Sequence, residues 1–184
     1  METDYSEIKL NHLFVPVKKI FEFFILGIGF VSQKDFQKAF LLVHPGLAPL
    51  VNTYNQEVNL QIEGCSVTSE TKLYWINIGR LMAIAIFDIL QCSEYHNAVK
   101  NTEIFKFAKH IRNGAAHDNK FDLNPPIKKS ITWRQYTIDQ SLNNQTVFPD
   151  FISSATLIHL MADISVVIEK NEKRKIGATA HNTE

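Results

Sequence analysis

Between Ser69 and Cys92 the chain carries apolar side chains round most of a helix's circumference. Tyr74, Trp75, Ile78, Leu81, Met82, Ile86, Phe87 and Leu90 recur at helical spacing, and Asn77, Arg80, Asp88 and Gln91 leave only a thin polar strip. A proline-free stretch so periodic predicts a helix. A helix apolar on nearly every side must be enclosed by other elements, so the pattern implies a central helix within a helical bundle. The chain has 184 residues, 45% of them hydrophobic and 13 of them Phe, which suffices for one such core and is short for two. A single domain over residues 1–170 is the expectation.

The flanking segments read as neighbours of that helix. Residues 5 to 31 have helical spacing at Leu13, Val17, Ile20, Phe24 and Ile28. Pro16 either kinks this helix or marks its start, since proline fits a first turn and not an interior. Ser32 caps a shorter helix to about Val43, which Pro45-Gly46 ends. Residues 45–68 stay ambiguous, with weak alternation from Asn59 to Glu63 as the sign of a short strand. Asn101 or Thr102 caps a further helix to about Ala116, with Ile104, Phe107, Ala108, Ile111 and Ala115 on its core face. Beyond Asn124-Pro125-Pro126, the β-formers Ile131, Trp133, Tyr136 and Ile138, then Asn143-Asn144 as a turn before Thr146-Val147-Phe148, predict a small hairpin. Pro149-Asp150 opens a last helix with the stripe Leu157, Leu160, Met161, Ile164, Val167 and Ile168, and residues 171–184 read as a frayed tail. The fold class expected is mainly α: a helical bundle with a small β-hairpin before the last helix.

Composition removes several kinds of function. Lys+Arg and Asp+Glu are equal at 19 each, so a non-specific nucleic-acid coat is excluded and any such contact must be a local basic patch. Cys65 and Cys92 are too few for a disulfide framework or a cysteine zinc site, and read as reduced intracellular thiols. The acidic start Met1-Glu2-Thr3-Asp4 lacks the positive charge of a secretory signal. The apolar run Phe23 to Val31 is about half the length of a membrane span. These features predict a cytoplasmic protein with no membrane partner. His96, His110 and His117 lack the dense His/Asp/Glu spacing of a metal site, so no metal is expected there. Neither a Gly-rich phosphate loop nor a Ser/His/Asp signature is present, and no cofactor is expected. His44 and His159 have no partner visible in the sequence. Trp75 and Trp133 can stack on bases, although core roles fit their surroundings better.

One segment carries chemistry, Arg112-Asn113-Gly114-Ala115-Ala116-His117. It ends an amphipathic helix whose outward face holds Lys106, His110, Asn113 and His117. If helical geometry persists that far, Asn113 and His117 lie one turn apart, and the amide can fix the imidazole by a hydrogen bond. Arg112 lies further round, but its long side chain can swing to the same space. A cation, a titratable imidazole and an orienting amide suit cleavage of RNA by its own 2′-hydroxyl. The imidazole acts as general base and the guanidinium binds phosphate oxygens. A plain structural reading stands beside this one. Arg112 and His117 can be solvated residues that complement a helix C-terminus, with Asn113 and Gly114 as its breakers. Asp88 either pairs with Arg80, lies exposed, or reaches across to Arg112 or His117 as an acidic support.

The Arg-Asn-x-x-x-His segment after one helix of a small helical domain resembles the Arg-x4-His motif of the HEPN superfamily. The polar residue after the arginine and the small residues Gly114-Ala115-Ala116 match the pattern, and the hairpin with Ile131 and Trp133, then Phe148 before a closing helix, resembles HEPN-like families of toxin–antitoxin and phage-defence systems. The likeness covers roughly residues 70–170. It implies a helical bundle that homodimerises with its motifs facing each other, and metal-independent RNA cleavage leaving a 2′,3′-cyclic phosphate. Arg112 and His117 become the catalytic pair and Asn113 the orienter. Lys106, Lys109 and His110 become RNA-binding residues, and an antitoxin or other protein becomes a possible regulator. Many members of the superfamily act by contact, so a non-catalytic dimerisation or binding module is the alternative.

Overall fold

The computed structural model describes residues 8–31 and 69–180. The chain divides into two compact units, Met1–Lys18 with Trp75–Glu184, and Lys19–Tyr74. Of the second unit, the described residues are the helical stretches 19–31 and 69–74. The short helix expected over 33–43 and the strand near 59–63 lie outside the described residues.

The first unit is mainly helical, as the periodicity predicts. Its N-terminal segment makes a 3-10 turn, His12–Phe14, before helix α1, Val15–Val31, which starts there and continues into the second unit. Asn11 fixes this start. Its Oδ1 accepts the Leu13 N–H at 3.0 Å, and its own N–H donates to Ser165 Oγ at 2.8 Å. Pro16 thus sits in a first turn, where its missing N–H costs nothing, and residues 8–11 are not helical.

Helix α2, Ser69–Cys92, has the predicted bounds. It is less enclosed than its sequence implies. Met82, Ala83, Ile86, Phe87 and Leu90 are buried, whereas Leu81 is 64% and Trp75 36% exposed. The helix therefore packs by one broad side, and its apolar periphery lies open. By length and composition alone, the window Trp75–Cys92 suffices to cross a membrane, with 33% of it buried. A short helix α3, His96–Val99, leads to α4, Glu103–Ala116. Thr102 is the cap of α4, its Oγ1 accepting the Phe105 N–H at 3.3 Å.

Strands β1, Ile131–Trp133, and β2, Tyr136–Ile138, form the hairpin, in antiparallel register with Ile131 opposite Ile138. Its turn is at Arg134-Gln135, with Arg134 at φ 51°; Asn143-Asn144 do turn before Thr146, with Asn144 at φ 66°, but outside this hairpin. Thr146 instead makes an isolated bridge with Lys120, because the chain after α4 runs back along residues 143–147. The Phe121 N–H donates to Gln145 O at 2.9 Å and the Asn144 N–H to Phe121 O at 2.8 Å. The last helix, α5, covers Thr156–Ala180. It starts later than Pro149-Asp150, because the N–H groups of Phe151 and Ile152 both turn back to Val147 O, at 3.1 and 3.0 Å. It also extends past Asn171, where a frayed tail was expected. Asn171 Nδ2 donates to Val167 O at 2.9 Å within the helix and lies 3.5 Å from Ala98 O.

The core lies where α2, α4, α5 and the hairpin meet. Ile86, Leu90, Phe107, Ile111, Leu157, Leu160, Met161 and Ile164 are essentially fully buried. Each such side chain contributes about 1.5–3 kcal/mol of burial. Trp133 belongs to this core and is 6% exposed, its ring 5.2 Å from Phe107 and its indole N–H donating to Asp163 Oδ2 at 2.9 Å. That bond satisfies the one polar atom of the ring and ties the hairpin to α5.

Candidate active site

Helix α4 positions the Arg112–His117 segment, and three contacts fix its end. Arg80 on α2 donates from Nε to Ala115 O at 2.7 Å, so a cation satisfies one of the carbonyls a helix leaves without a partner in its last turn. Gly114 lets the following chain dock on the helix. A Cβ there would come 2.5 Å from Val147 Cγ2 and 3.2 Å from Lys120 O. Gly114 thus serves close approach. It does not break the helix, which runs on to Ala116. The turn that follows uses Asp118 and Asn119 at φ 52° and 59°, residue types that tolerate the left-handed region. Asn119 is buried and holds Phe148 in both directions, its Nδ2 donating to Phe148 O at 2.6 Å and its Oδ1 accepting the Phe148 N–H at 3.0 Å.

His117 is the first residue past the helix, at φ −101° and ψ 75°, and is exposed. Its N–H donates to Asn113 O at 2.9 Å. That backbone bond is the link between the two residues among the described hydrogen bonds. The amide-to-imidazole bond expected from an unbroken helix is not formed, because the backbone leaves helical geometry at the histidine itself.

Arg112 is half-buried at the α2 side of α4, where Nε lies 3.3 Å from Asp88 Oδ1. Asp88 therefore faces Arg112, while Arg80, its other candidate partner, is taken up with Ala115. Among the described residues neither terminal nitrogen of Arg112 has a hydrogen-bond partner. Lys106 and Lys109 are exposed, and His110 is half-buried with an unpartnered Nδ1. Burial, and secondly the Lys109 charge, lower the His110 pKa below the usual imidazole value. No cluster of three His, Cys, Asp or Glu side chains able to hold a metal occurs among the described residues.

Beside Arg112 an open cavity of about 410 Å³ lies between the C-terminal half of α2, α3 and α4. Phe87, His96 and Phe105 line it together with Gln91, Lys109, Arg112 and Asn113. It gathers Arg112, Asn113 and Lys109 from the predicted set, but not Lys106, His110 or His117. Sequence reasoning missed Arg80, Asn119, Gln91 and the aromatic wall. Only the Asp118-Asn119 pair carried a readable signal, a left-handed turn just after a helix. Comparison with known protein families, with curated proteins and with solved structures finds no match to this chain.

Proposed function

We propose that this chain is a metal-independent endoribonuclease of HEPN type, with Arg112, Asn113 and His117 as its site. The observation that carries the reading is the way Arg112 is held. Asp88 engages its Nε at 3.3 Å and leaves the terminal amino groups without a partner among the described residues, next to Asn113 and Lys109 on the cavity. An arginine anchored at one edge and open at the other is suited to bidentate contact with phosphate oxygens. His117 would take the 2′-hydroxyl proton. The 2′-oxygen then attacks phosphorus, the bond to the 5′-oxygen breaks, and the departing oxygen is protonated by an imidazolium. The products are a 2′,3′-cyclic phosphate and a 5′-hydroxyl. Lys106, Lys109 and His110 would hold the flanking strand.

An exposed His117 without an amide to orient it fits a composite site, in which a second copy of the chain completes the constellation. The protein should therefore be a homodimer at micromolar concentration, and a strictly monomeric mass by light scattering would remove the composite site. The resemblance places such an enzyme among toxins or phage-defence effectors, silenced by an antitoxin or other protein partner. The second reading, a non-catalytic HEPN-like binding module, draws support from the same Asp88, whose charge offsets that of Arg112.

The test is RNA cleavage in EDTA by wild type, Arg112→Ala and His117→Ala, with product ends analysed. Cyclic phosphate ends, lost in both folded variants, are the expected result. Absence of cleavage of mixed cellular RNA moves the reading to the binding module.

A further inference from the structure

The cavity beside Arg112 has a composition that the cleavage chemistry does not require. Its inner wall is aromatic. Phe87 and Phe105 are 6% and 7% exposed, with ring centroids 5.1 Å apart, and His96 meets Phe105 edge-on at 5.4 Å. Its rim is polar, with two primary amides, Gln91 and Asn113, and two cations, Lys109 and Arg112. No acidic side chain lines it. The His96 Nδ1 is buried without a hydrogen-bond partner among the described residues.

Each part excludes something. Lys109 and Arg112, offset only by the Asp88 carboxylate on the Arg112 Nε, leave a net positive charge that selects an anion. A bare phosphate or sugar phosphate would leave the aromatic wall and the amides unused. An apolar ligand would leave the cations and amides without partners. A planar, hydrogen-bonding ring that carries phosphate uses all of them, and about 410 Å³ lies within the range of small-ligand pockets. Single-stranded RNA is commonly read in this manner, by unstacked bases set against aromatic side chains and bonded along their edges.

We infer that this cavity is a nucleobase subsite for the nucleotide next to the cleaved phosphate, an inference that rests on the ribonuclease reading for its place on the strand. The base lies against Phe87 and Phe105, Gln91 and Asn113 bond its edge, and Lys109 and Arg112 hold the adjoining phosphate. The subsite makes cleavage dependent on which base occupies it.

The experiment titrates the full chain with AMP, GMP, CMP and UMP, and with ribose 5-phosphate and inorganic phosphate, following side-chain amide signals by NMR. The expected result is binding of at least one nucleotide about tenfold or more tighter than ribose 5-phosphate, with shifts at Gln91 and Asn113. Gln91 is exposed, so Gln91→Ala leaves the fold intact; it should weaken nucleotide binding and leave ribose 5-phosphate unchanged. Lys109→Ala should weaken both. Ribose 5-phosphate or phosphate binding as tightly as every nucleotide would reduce the cavity to an anion site and overturn the inference. Nucleotide binding here without RNA cleavage removes the ribonuclease reading and keeps the base pocket. Cleavage that needs Arg112, with a bond preference unchanged by Gln91→Ala and no nucleotide shifts, keeps the enzyme and removes the pocket.

Discussion

Two Arg–Asp pairs in this protein differ in how completely they are used. At the hairpin, Arg134 meets Asp163 through Nε at 2.8 Å and through a terminal nitrogen at 2.9 Å, while Trp133 donates to the same carboxylate. The Arg134 guanidinium also lies 5.5 Å from the Trp133 ring centroid. This pair is occupied on both sides and joins the hairpin to α5. At the candidate site, Arg112 touches Asp88 through Nε alone, at 3.3 Å; both pairs are partly exposed, so the number of bonds is what separates them. An ion pair of the first kind has a structural role that accounts for its atoms. One of the second kind is worth little for stability and leaves donors over, which is what a phosphate-binding arginine requires.

Removing the arginines should separate the two roles most sharply. Arg112→Ala should lower RNA cleavage on the order of 10²–10³-fold, with little change in urea midpoint. Arg112→Lys should recover only a minor part, since it keeps the charge and loses the planar fork. Arg134→Ala should do the reverse, leaving turnover unchanged and lowering the midpoint. Equal losses of stability in the two alanine variants would dissolve the distinction.

Replacing the aspartates should give smaller effects in the same pattern. Asp163 accepts bonds from both Arg134 and Trp133, so Asp163→Asn should destabilise by about 1–2 kcal/mol in urea unfolding. The bond from Arg134 holds the Asp163 carboxyl below the ordinary value against the opposing effect of burial, with Trp133 adding to the lowering. Its contribution is therefore present above the unfolded-state pKa and lost as pH falls through the lower folded value. Asp88→Asn should cost under about 1 kcal/mol. It should nevertheless slow cleavage about tenfold, by freeing Arg112 from its position. An Asp88 variant with full activity would leave Arg112 without need of a positioning partner.

Much of this architecture was legible in the sequence, and the omissions have a common origin. The bounds of α2, a cap for α4 at Asn101 or Thr102 and the β-forming run from Ile131 to Ile138 are local properties, set by periodicity, capping chemistry and side-chain shape. Leu81 lying exposed, and α5 continuing past Asn171, depend on what packs alongside, which periodicity does not report. At the candidate site the segment Arg112–His117 stood out by spacing. The Asp88 contact was one of several open alternatives, because partners on separate helices are fixed only by packing. The expected Asn113–His117 bond assumed continuing helix. The left-handed pair Asp118-Asn119, anchored by Phe148, shows why the backbone turns there. The cavity wall was hidden for the same reason, since Phe87, His96 and Phe105 belong to three helices and look like ordinary core residues when read singly.

The smallest effect belongs to His110, the other titratable group on the face shared by Lys106, Lys109 and Asn113. Its pKa is lowered chiefly by burial and also by Lys109, so the folded protein resists a proton that the unfolded chain accepts at about 6.5. Between the folded value and that one, the unfolded state binds more protons. Stability should therefore be level above about pH 6.5, decline as pH falls toward the folded value, and level off below it. His110→Gln should flatten this step in urea midpoints measured across that range. Lys109→Met should narrow it, by removing the lesser of the two causes. If His110→Gln follows the wild-type curve, the step belongs to another group. A flattened curve means that the step belongs to His110, whose imidazole then stays neutral to a lower pH in the folded protein than in the unfolded chain.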